Sequence, residues 1–312
     1  MKLVTYRAGV EAAGRLGVLQ DDLVIDVARL GAAVNLTLPN TMLELIDAGP
    51  DATRVIADCL TQTEGKRPYG VAVPVQNVRL LAPIPRPRKN IFGIGLNYAP
   101  HVEESSRSLD TSADLPKQPV VFSKPPTTVV GPDDAIQHNK DMTQQLDWEV
   151  ELAVVIGRRA TRIAKDEAMN YVFGYTVLND ISARDNRRAG QWIFSKGMDT
   201  FAPMGPCIVT ADAIADPHNL ELWLKKNGVE KQRSNTQHLL FDIPTLISDL
   251  SSGMTLEPGD IIATGTPAGV GAGRNPQEWM WPGDVIECGV EGIGVLRNPV
   301  VDISKQDGSK HD

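Results

Sequence analysis

Two glutamates lie two residues apart in a strongly apolar part of the chain. Glu149 and Glu151 belong to the run 147–156, which is otherwise rich in valine, leucine and alanine and predicts a buried β-strand. Residues two apart in a strand point to the same face, so the two carboxylates are expected to project together. Like charges on a buried face are costly unless a cation lies between them, which indicates a divalent metal site. The alternative is a half-buried strand whose glutamates face solvent.

A third acid, Asp180, follows the apolar run 172–178, at the kind of strand end that typically reaches a functional site. Together with Glu149 and Glu151 it makes an all-oxygen ligand set. Hard oxygen ligands suit Mg²⁺, Mn²⁺ or Ca²⁺ rather than Zn²⁺. Three protein carboxylates also leave coordination positions open for water and substrate.

Proton transfer has a separate candidate pair in His101 and Glu104, which follow Pro100 at a helical i, i+3 spacing. A histidine held by a carboxylate is a common general base. Lys196, among glycine and apolar neighbours, offers a cation for an anionic intermediate. The alternatives are an incidental exposed histidine and an exposed loop lysine.

Two further segments have compositions that point to ligand binding. The glycine-rich segment 264–271 follows a predicted strand, and its backbone N–H groups could hold a carboxylate or phosphate. It lacks the Lys-Ser/Thr ending of a nucleotide-binding P-loop, and a plain tight turn is the alternative. The segment 103–117 is rich in serine and acids, which is typical of a mobile lid or, alternatively, of a surface loop.

Charge and composition exclude several classes of function. The 312 residues carry a net charge of −8 with no basic cluster, so nucleic acid is not an expected partner. No apolar run is long enough to predict a membrane span. The cysteines are scattered, without disulfide or metal spacing, and a reducing cytoplasm is the expected location.

The distribution of turn residues divides the chain into four predicted segments. Three prolines in five residues, within the segment 83–87, predict a stiff linker. Beyond it, short apolar segments punctuated by Gly and Pro predict a mainly-β barrel or roll. The segments are a small N-terminal α/β domain at 1–78, a linker at 79–89, a large domain at 90–304 and a polar tail at 305–312. The expected class is therefore α+β, mainly β.

Five motifs, in order along residues 90 to 300, resemble those of the fumarylacetoacetate hydrolase family. They are Gly93-Ile94-Gly95-Leu96-Asn97-Tyr98 with His101 and Glu104; Asp147-Trp148-Glu149-Val150-Glu151-Leu152; Asn179-Asp180-Ile181-Ser182-Ala183-Arg184-Asp185; Lys196 with Asp199-Thr200-Phe201 and Pro203-Met204-Gly205-Pro206; and Thr264-Gly265-Thr266-Pro267. The small N-terminal domain resembles that of bacterial two-domain members. The resemblance implies a mixed β-roll around a barrel-like core, usually in a homodimer.

The resemblance also implies roles for individual residues. It implies that the three acids bind Mg²⁺ or Mn²⁺ and that Lys196 assists a developing anion. It implies that His101 and Glu104 activate water. The substrate-binding residues it implies are Tyr98, Arg184, Arg187, Gly265 and Thr266. Arg187 is a departure, because family members often have glutamine three residues after the Arg184 position; an arginine there could select a second substrate carboxylate.

The reaction predicted from these implied roles is metal-dependent hydrolysis of a carbon–carbon bond in a small 2,4-dioxo acid of the acylpyruvate or fumarylpyruvate type. Cleavage would release an enolate stabilised by the metal and Lys196. Alternatives with the same site are a 2-oxo acid decarboxylase or isomerase, of the oxaloacetate or 5-carboxymethyl-2-hydroxymuconate type, and a ureidoglycolate lyase. The non-enzyme alternative is a metal-stabilised binding protein for oxo acids. The expected partner in every case is a small carboxylate-bearing oxo acid.

Overall fold

The structure is a computed structural model, and it describes residues 1–9, 13–108 and 112–304. The strands are β1 (Lys2–Ala8), β2 (Arg15–Gln20), β3 (Leu23–Asp26), β4 (Ala72–Pro74), β5 (Val78–Leu81), β6 (Ile91–Gly95), β7 (Val120–Lys124), β8 (Val129–Val130), β9 (Ile136–His138), β10 (Leu146–Asp147), β11 (Val150–Ile156), β12 (Val172–Asn179), β13 (Ser182–Ala183), β14 (Ala202–Thr210), β15 (Glu221–Lys226), β16 (Val229–Asn235), β17 (Ile261–Ala263), β18 (Val285–Val290) and β19 (Gly294–Asp302).

The helices are α1 (Val27–Ala33), α2 (Met42–Ala48), α3 (Pro50–Gln62), α4 (Ala99–Ser108), α5 (Ile193–Lys196) and α6 (Ile243–Gly253). Short 3₁₀ helices lie at Val75–Asn77, Pro126–Thr128, Lys165–Tyr171, Arg184–Asn186, Ala211–Ala213, Thr236–His238 and Gly271–Gly273. Of the helices in the described residues, none combines the length and apolar character needed to cross a membrane.

The largest sheet has the strand order β4-β3-β2-β1-β14-β12-β11-β17-β6-β7, with β5 paired to β1 and β8 to β14. Most pairs are antiparallel, but β17 with β6 and β14 with β8 are parallel. A second sheet has the order β16-β15-β18-β19-β9. The mainly-β α+β class is therefore confirmed, with mixed sheets that remain open rather than closing into a barrel within the described residues.

The N-terminal strands continue the large sheet. Strand β1 pairs with β14, where Leu3 lies opposite Ile208. It also pairs with β5, the strand that leads into the proline-rich segment. The linker thus connects two parts of one sheet. The boundary at 79–89 stays a prediction, and the tail 305–312 lies outside the described residues.

Strand β11 is buried on both faces, which settles the orientation of its glutamates. Val150, Leu152 and Val154 pack into one hydrophobic cluster, and Ala153 and Val155 pack into a second cluster on the opposite face. Glu151 shares the face of Ala153 and Val155 because side chains alternate along a strand. The alternative of a solvent-facing pair is wrong, since Glu149 and Glu151 are 4% and 1% exposed.

Candidate active site

The three predicted acids meet at the end of the β11–β12 pair. Glu149 directly precedes β11 and Asp180 directly follows β12, and the backbone N–H of Asp180 donates to the Glu149 carbonyl at 2.8 Å. One carboxylate oxygen from each of Glu149, Glu151 and Asp180 lies within 4.8 Å of the others. Antiparallel pairing thus brings together acids that are about 30 residues apart in sequence.

The surroundings of the cluster shift the pKa values of the two glutamates in opposite directions. Burial raises the pKa of Glu151 well above its usual value, and the neighbouring charges of Asp180 and Glu149 raise it further. Burial also opposes ionisation of Glu149, but Lys196 and Arg184 outweigh that effect and hold the pKa of Glu149 below its usual value. Of the two glutamates, Glu151 is therefore the one whose charge the protein compensates less.

The donor chemistry of the cluster fits a divalent metal ion. All three candidate ligands are carboxylates, they are buried and their oxygens are close together. Hard divalent ions such as Mg²⁺ and Mn²⁺ take oxygen ligands of this kind. A bound divalent ion would also offset the burial and the repulsion that raise the pKa of Glu151.

This fit leads to a prediction about pH. Because the pKa of Glu151 is raised, a proton competes with the metal ion for this carboxylate, and affinity for Mn²⁺ should increase with pH, by at most about tenfold per pH unit. Calorimetric titration of the metal-free protein from about pH 6 to about pH 8, in buffers of different ionisation enthalpy, measures both affinity and proton release. Affinity that is independent of pH, without proton release, would contradict the assignment.

Within the described residues two lysines contact the acid cluster, and only one of them was predicted. Lys196, at the end of α5, donates to Glu149 at 2.9 Å and to Asp180 at 2.5 Å, so the alternative of an exposed loop lysine is wrong. Lys124, at the end of β7, was missed. Its ammonium group donates to Asp180 at 2.5 Å and to the carbonyl of Lys196, and burial lowers its pKa to about 8. The available signal was a lysine closing an apolar strand, directly before two prolines.

Helix α4 carries the predicted histidine–glutamate pair. His101 Nδ1 lies 3.3 Å from Glu104 Oε2, and both residues are buried, so the alternative of an exposed, incidental histidine is wrong. Ser105 Oγ lies 3.4 Å from the other ring nitrogen. The Glu104 carboxylate also accepts the Gly269 N–H, at 3.0 and 3.2 Å to its two oxygens. The predicted lid begins in this helix, and its residues 109–111 lie outside the described residues.

A pocket opens beside the cluster and brings most of the predicted residues together. Its lining residues, which we call the site pocket, are Ile94, Gly95, Leu96, His101, Ser105, Phe122, Glu149, Arg184, Arg187, Trp192, Ser195, Lys196 and Thr266. Three of the lining side chains, Arg184, Arg187 and Lys196, are cationic. A lining with these charges suits an anionic ligand.

Of the other predicted substrate-binding residues, Thr266 lines the site pocket, whereas Gly265 and Tyr98 lie outside its lining. The Gly265 N–H donates to Glu151 at 2.8 Å, which fixes a candidate metal ligand. Thr266 lines the pocket while its hydroxyl donates to the Val150 carbonyl at 3.0 Å. Tyr98 is 1% exposed and stands outside the pocket lining among the described residues, and burial, reinforced by the charge of Glu151, raises its pKa.

Arg184 spans two acids. Its guanidinium group donates to Asp147 at 2.8 Å and to Glu149 at 2.6 Å, and its side chain is 6% exposed. Asp147 was not predicted as a site residue, although it is the first acid of the run that drew attention to Glu149. Its carboxylate is not one of the clustered oxygens found among the described residues, and local spacing alone does not reveal that.

Comparison with known proteins identifies relatives over nearly the whole chain. The family model "Fumarylacetoacetate (FAA) hydrolase C-terminal" matches residues 90–301. The chain is 42% identical over 270 residues to oxaloacetate tautomerase YisK of Bacillus subtilis (strain 168), covering 85% of this chain and 87% of that protein. It is 41% identical over 310 residues to mitochondrial oxaloacetate tautomerase FAHD2A of Bos taurus, covering 96% and 92%.

Solved structures agree. A fumarylacetoacetate hydrolase from Exiguobacterium antarcticum superposes with a TM-score of 0.79 at 36% identity, covering 97% of this chain and 100% of that one. Maleylpyruvate hydrolase from Sphingobium sp. SYK-6, in complex with manganese(II) ion and pyruvate, superposes with a TM-score of 0.75 at 30% identity, covering 97% and 99%. The relatives therefore include both tautomerases and hydrolases.

Proposed function

Because the chain belongs to the fumarylacetoacetate hydrolase family, we propose that it is a divalent-metal-dependent tautomerase that interconverts the keto and enol forms of a 2-oxo dicarboxylic acid such as oxaloacetate. The observation that carries this proposal is the buried acid cluster opening on a pocket with three cations and one histidine. The names of the relatives that span most of the chain support it. They favour an isomerase of the oxaloacetate type, which the sequence offered as an alternative, over the carbon–carbon bond hydrolase that the sequence predicted first.

In this proposal Glu149, Glu151 and Asp180 hold Mg²⁺ or Mn²⁺, and the manganese(II) complex of the Sphingobium maleylpyruvate hydrolase supports manganese as the ion. The bound ion supplies Lewis-acid polarisation of the 2-oxo group, which acidifies the neighbouring carbon. The protein contributes the geometry of the ligands. Gly265 fixes Glu151, and Arg184 and Lys196 fix Glu149.

His101 is the proposed proton-transfer group. With a proton on Nδ1 shared with Glu104, its Nε2 is left to accept a proton from substrate carbon 3. Return of a proton to the 2-oxo oxygen completes the enol, so reactant and product are isomers and no water is consumed. Lys196 lines the same pocket and offers positive charge to that oxygen as it becomes negative.

Arg187 is the proposed reader of the second carboxylate. It lines the site pocket, and its guanidinium carbon lies 5.1 Å from the centre of the Trp192 ring. The centre of the Trp192 ring in turn lies 5.4 Å from the centre of the Phe122 ring. The Lys196 ammonium nitrogen lies 4.7 Å from the centre of the same Phe122 ring. A chain of contacts through the two rings thus links Arg187 to Lys196, which binds the candidate metal ligands, and two cations lining one pocket suit a dicarboxylate.

Replacing Arg187 with glutamine is therefore expected to raise KM for oxaloacetate about tenfold, since one charge-assisted contact of about 1.4 kcal/mol is lost. Enolisation of a monocarboxylate such as pyruvate should change less than about twofold. The matched control is Arg188→Gln, because Arg188 is the next residue but stacks on Phe194 outside the pocket lining. Equal losses with both substrates would contradict the assignment of Arg187.

A substrate panel tests the reaction class. The Mg²⁺- or Mn²⁺-loaded protein is first assayed with oxaloacetate, and the reaction is monitored through enol absorbance and through carbon dioxide release. It is then assayed with acylpyruvates and fumarylpyruvate, and cleavage of these substrates is measured. We expect tautomerisation to exceed the other reactions by at least about 100-fold in kcat/KM. Dominant cleavage of a 2,4-dioxo acid would restore the hydrolase prediction, and binding without any turnover would support the non-enzyme alternative.

The proposal extends to the assembly of the chain and its location. The family resemblance supports a homodimer, and the acidic chain with scattered cysteines supports a cytoplasmic location. Light scattering of the purified chain tests the assembly, because a dimer has twice the chain mass of 33.8 kDa.

A further inference from the structure

Asp147 is a buried carboxylate with an unusual number of donors. It is 0% exposed and accepts N–H groups from Trp148 at 2.9 Å, Gly271 at 2.6 Å, Ala272 at 3.1 Å and Arg184 at 2.8 Å. It lies outside both the acid cluster and the site-pocket lining among the described residues. A buried charge with four donors is therefore kept for a reason other than metal binding or substrate contact.

Two of the three backbone donors, Gly271 and Ala272, belong to the turn of residues 269–273, which contacts the proton-transfer pair. Gly269 donates to Glu104, the partner of His101. Gly273 packs so closely on α4 that a Cβ atom there would overlap the Glu104 carboxyl group. The position of this turn therefore decides where Glu104, and with it His101, can lie.

The side-chain donor belongs to the other half of the site. Arg184 uses one nitrogen on Asp147 and another on Glu149. Oδ1 of Asp147 accepts from Trp148 and Gly271, and Oδ2 accepts from both Arg184 and Ala272. One carboxylate thus joins the turn that holds Glu104 to the cation that holds Glu149.

We propose that Asp147 is a positioning residue that sets the His101–Glu104 pair in register with the metal-binding acids. It acts through the 269–273 turn on one side and through Arg184 on the other. The consequence for turnover rests on the proposed function, whereas the consequence for the order of α4 does not. The indole N–H of Trp148 also holds the turn, through the Gly269 carbonyl at 3.1 Å, but it makes no link to Arg184 that could set the register.

Asparagine at position 147 keeps the shape of the side chain but not its accepting capacity. An amide offers one oxygen and presents an NH₂ group that cannot accept from Arg184 or from a backbone N–H. Either the turn or Arg184 then loses its partner. Because an error of about 1 Å in the placement of a catalytic group costs about 100-fold in rate, kcat should fall far more than KM rises.

The test compares Asp147→Asn with Asp260→Asn. Asp260 is also buried, and it accepts a lysine at 3.0 Å and a backbone N–H at 2.8 Å, but it lies outside the site. Hydrogen exchange of the amides in α4 is measured on the metal-free protein, and kcat and KM are measured with oxaloacetate and metal. We expect about tenfold faster exchange in α4 and about 100-fold lower kcat for Asp147→Asn, with neither change for Asp260→Asn.

The proposal is overturned if α4 keeps its protection in Asp147→Asn, or if Asp260→Asn produces the same loss. If Asp147→Asn does not fold, Gly273→Ala tests the same contact from the side of the turn, and normal protection of α4 with normal kcat in that variant overturns the proposal. The exchange result does not depend on substrate. A wild-type protein that turns over no 2-oxo acid would therefore refute the proposed function and leave the exchange measurement to decide the role of Asp147.

Discussion

Replacing Glu151 with glutamine is expected to abolish metal-dependent turnover while making the metal-free protein more stable. Activity should fall by at least about 1,000-fold and affinity for Mn²⁺ by at least about 100-fold, since one of three carboxylate ligands is lost. Stability should rise because the raised pKa of Glu151 means that its ionised form is disfavoured in the folded state. The glutamine oxygen can still accept the Gly265 N–H.

The sign of the stability effect follows from proton linkage. An acid whose pKa is raised in the folded state makes folding less favourable once the pH rises above the pKa of that acid in the unfolded chain. The gain in stability from Glu151→Gln should therefore be absent at acid pH and present at neutral pH. Thermal unfolding of the metal-free variants at about pH 4 and about pH 7 measures it. The comparison variant is Glu149→Gln, which should also lose metal but should be less stable, because Lys196 and Arg184 lose a partner. Equal destabilisation by both substitutions would contradict this account.

Replacing His101 with alanine is expected to lower kcat by about 100- to 10,000-fold, the usual contribution of a positioned general base. Metal affinity should stay within about threefold of the wild type, because His101 is not among the clustered ligands. The reaction is followed through enol absorbance and metal binding through calorimetry. A loss of both activity and metal affinity would mean that His101 serves the metal site instead.

A second histidine serves as the control for this substitution. His218 also faces an acid, with Nδ1 3.7 Å from Asp216, but it lies outside the site pocket. His218→Ala should retain activity within about twofold. If His101→Ala keeps tautomerisation but loses cleavage of an acylpyruvate, water activation is separate from enol chemistry, and the general base of the tautomerase must be sought elsewhere.

The acid cluster was predictable because its signal is local. Glu151 lies in a strand whose other residues are apolar, Glu149 directly precedes that strand, and Asp180 directly follows the next strand that pairs with it. Alternation along one strand is visible in the sequence, and so is the helical spacing of His101 and Glu104.

The contacts that were missed depend on distant pairings. Lys124 reaches Asp180 across 56 residues, and Asp147 reaches Gly271 across 124. Strand β1 joins β14 through residues about 200 positions apart, so the N-terminal unit could not be seen to extend the large sheet. The periodicity of apolar residues indicates which face of a helix or strand is buried. It does not indicate which other element packs against that face, because this is set by the packing of the whole chain.

The reaction class could not be predicted for a different reason. Hydrolysis, decarboxylation and tautomerisation of oxo acids all need a polarised 2-oxo group and a stabilised enolate. The same acids and Lys196 serve all three, and residue types do not separate them. The side chains that favour a dicarboxylate, Arg187 and its aromatic neighbours, concern the substrate rather than the reaction.

The most direct test of the central claim is a titration of the metal-stripped wild-type protein with Mg²⁺ or Mn²⁺, in which occupancy and the rate of deuterium exchange at carbon 3 of oxaloacetate are measured in the same samples. The account predicts no acceleration in the presence of chelator and a rate that increases in proportion to occupancy, saturating at one ion per chain. Acceleration of the exchange that persists in chelator, or that fails to follow occupancy, would contradict it.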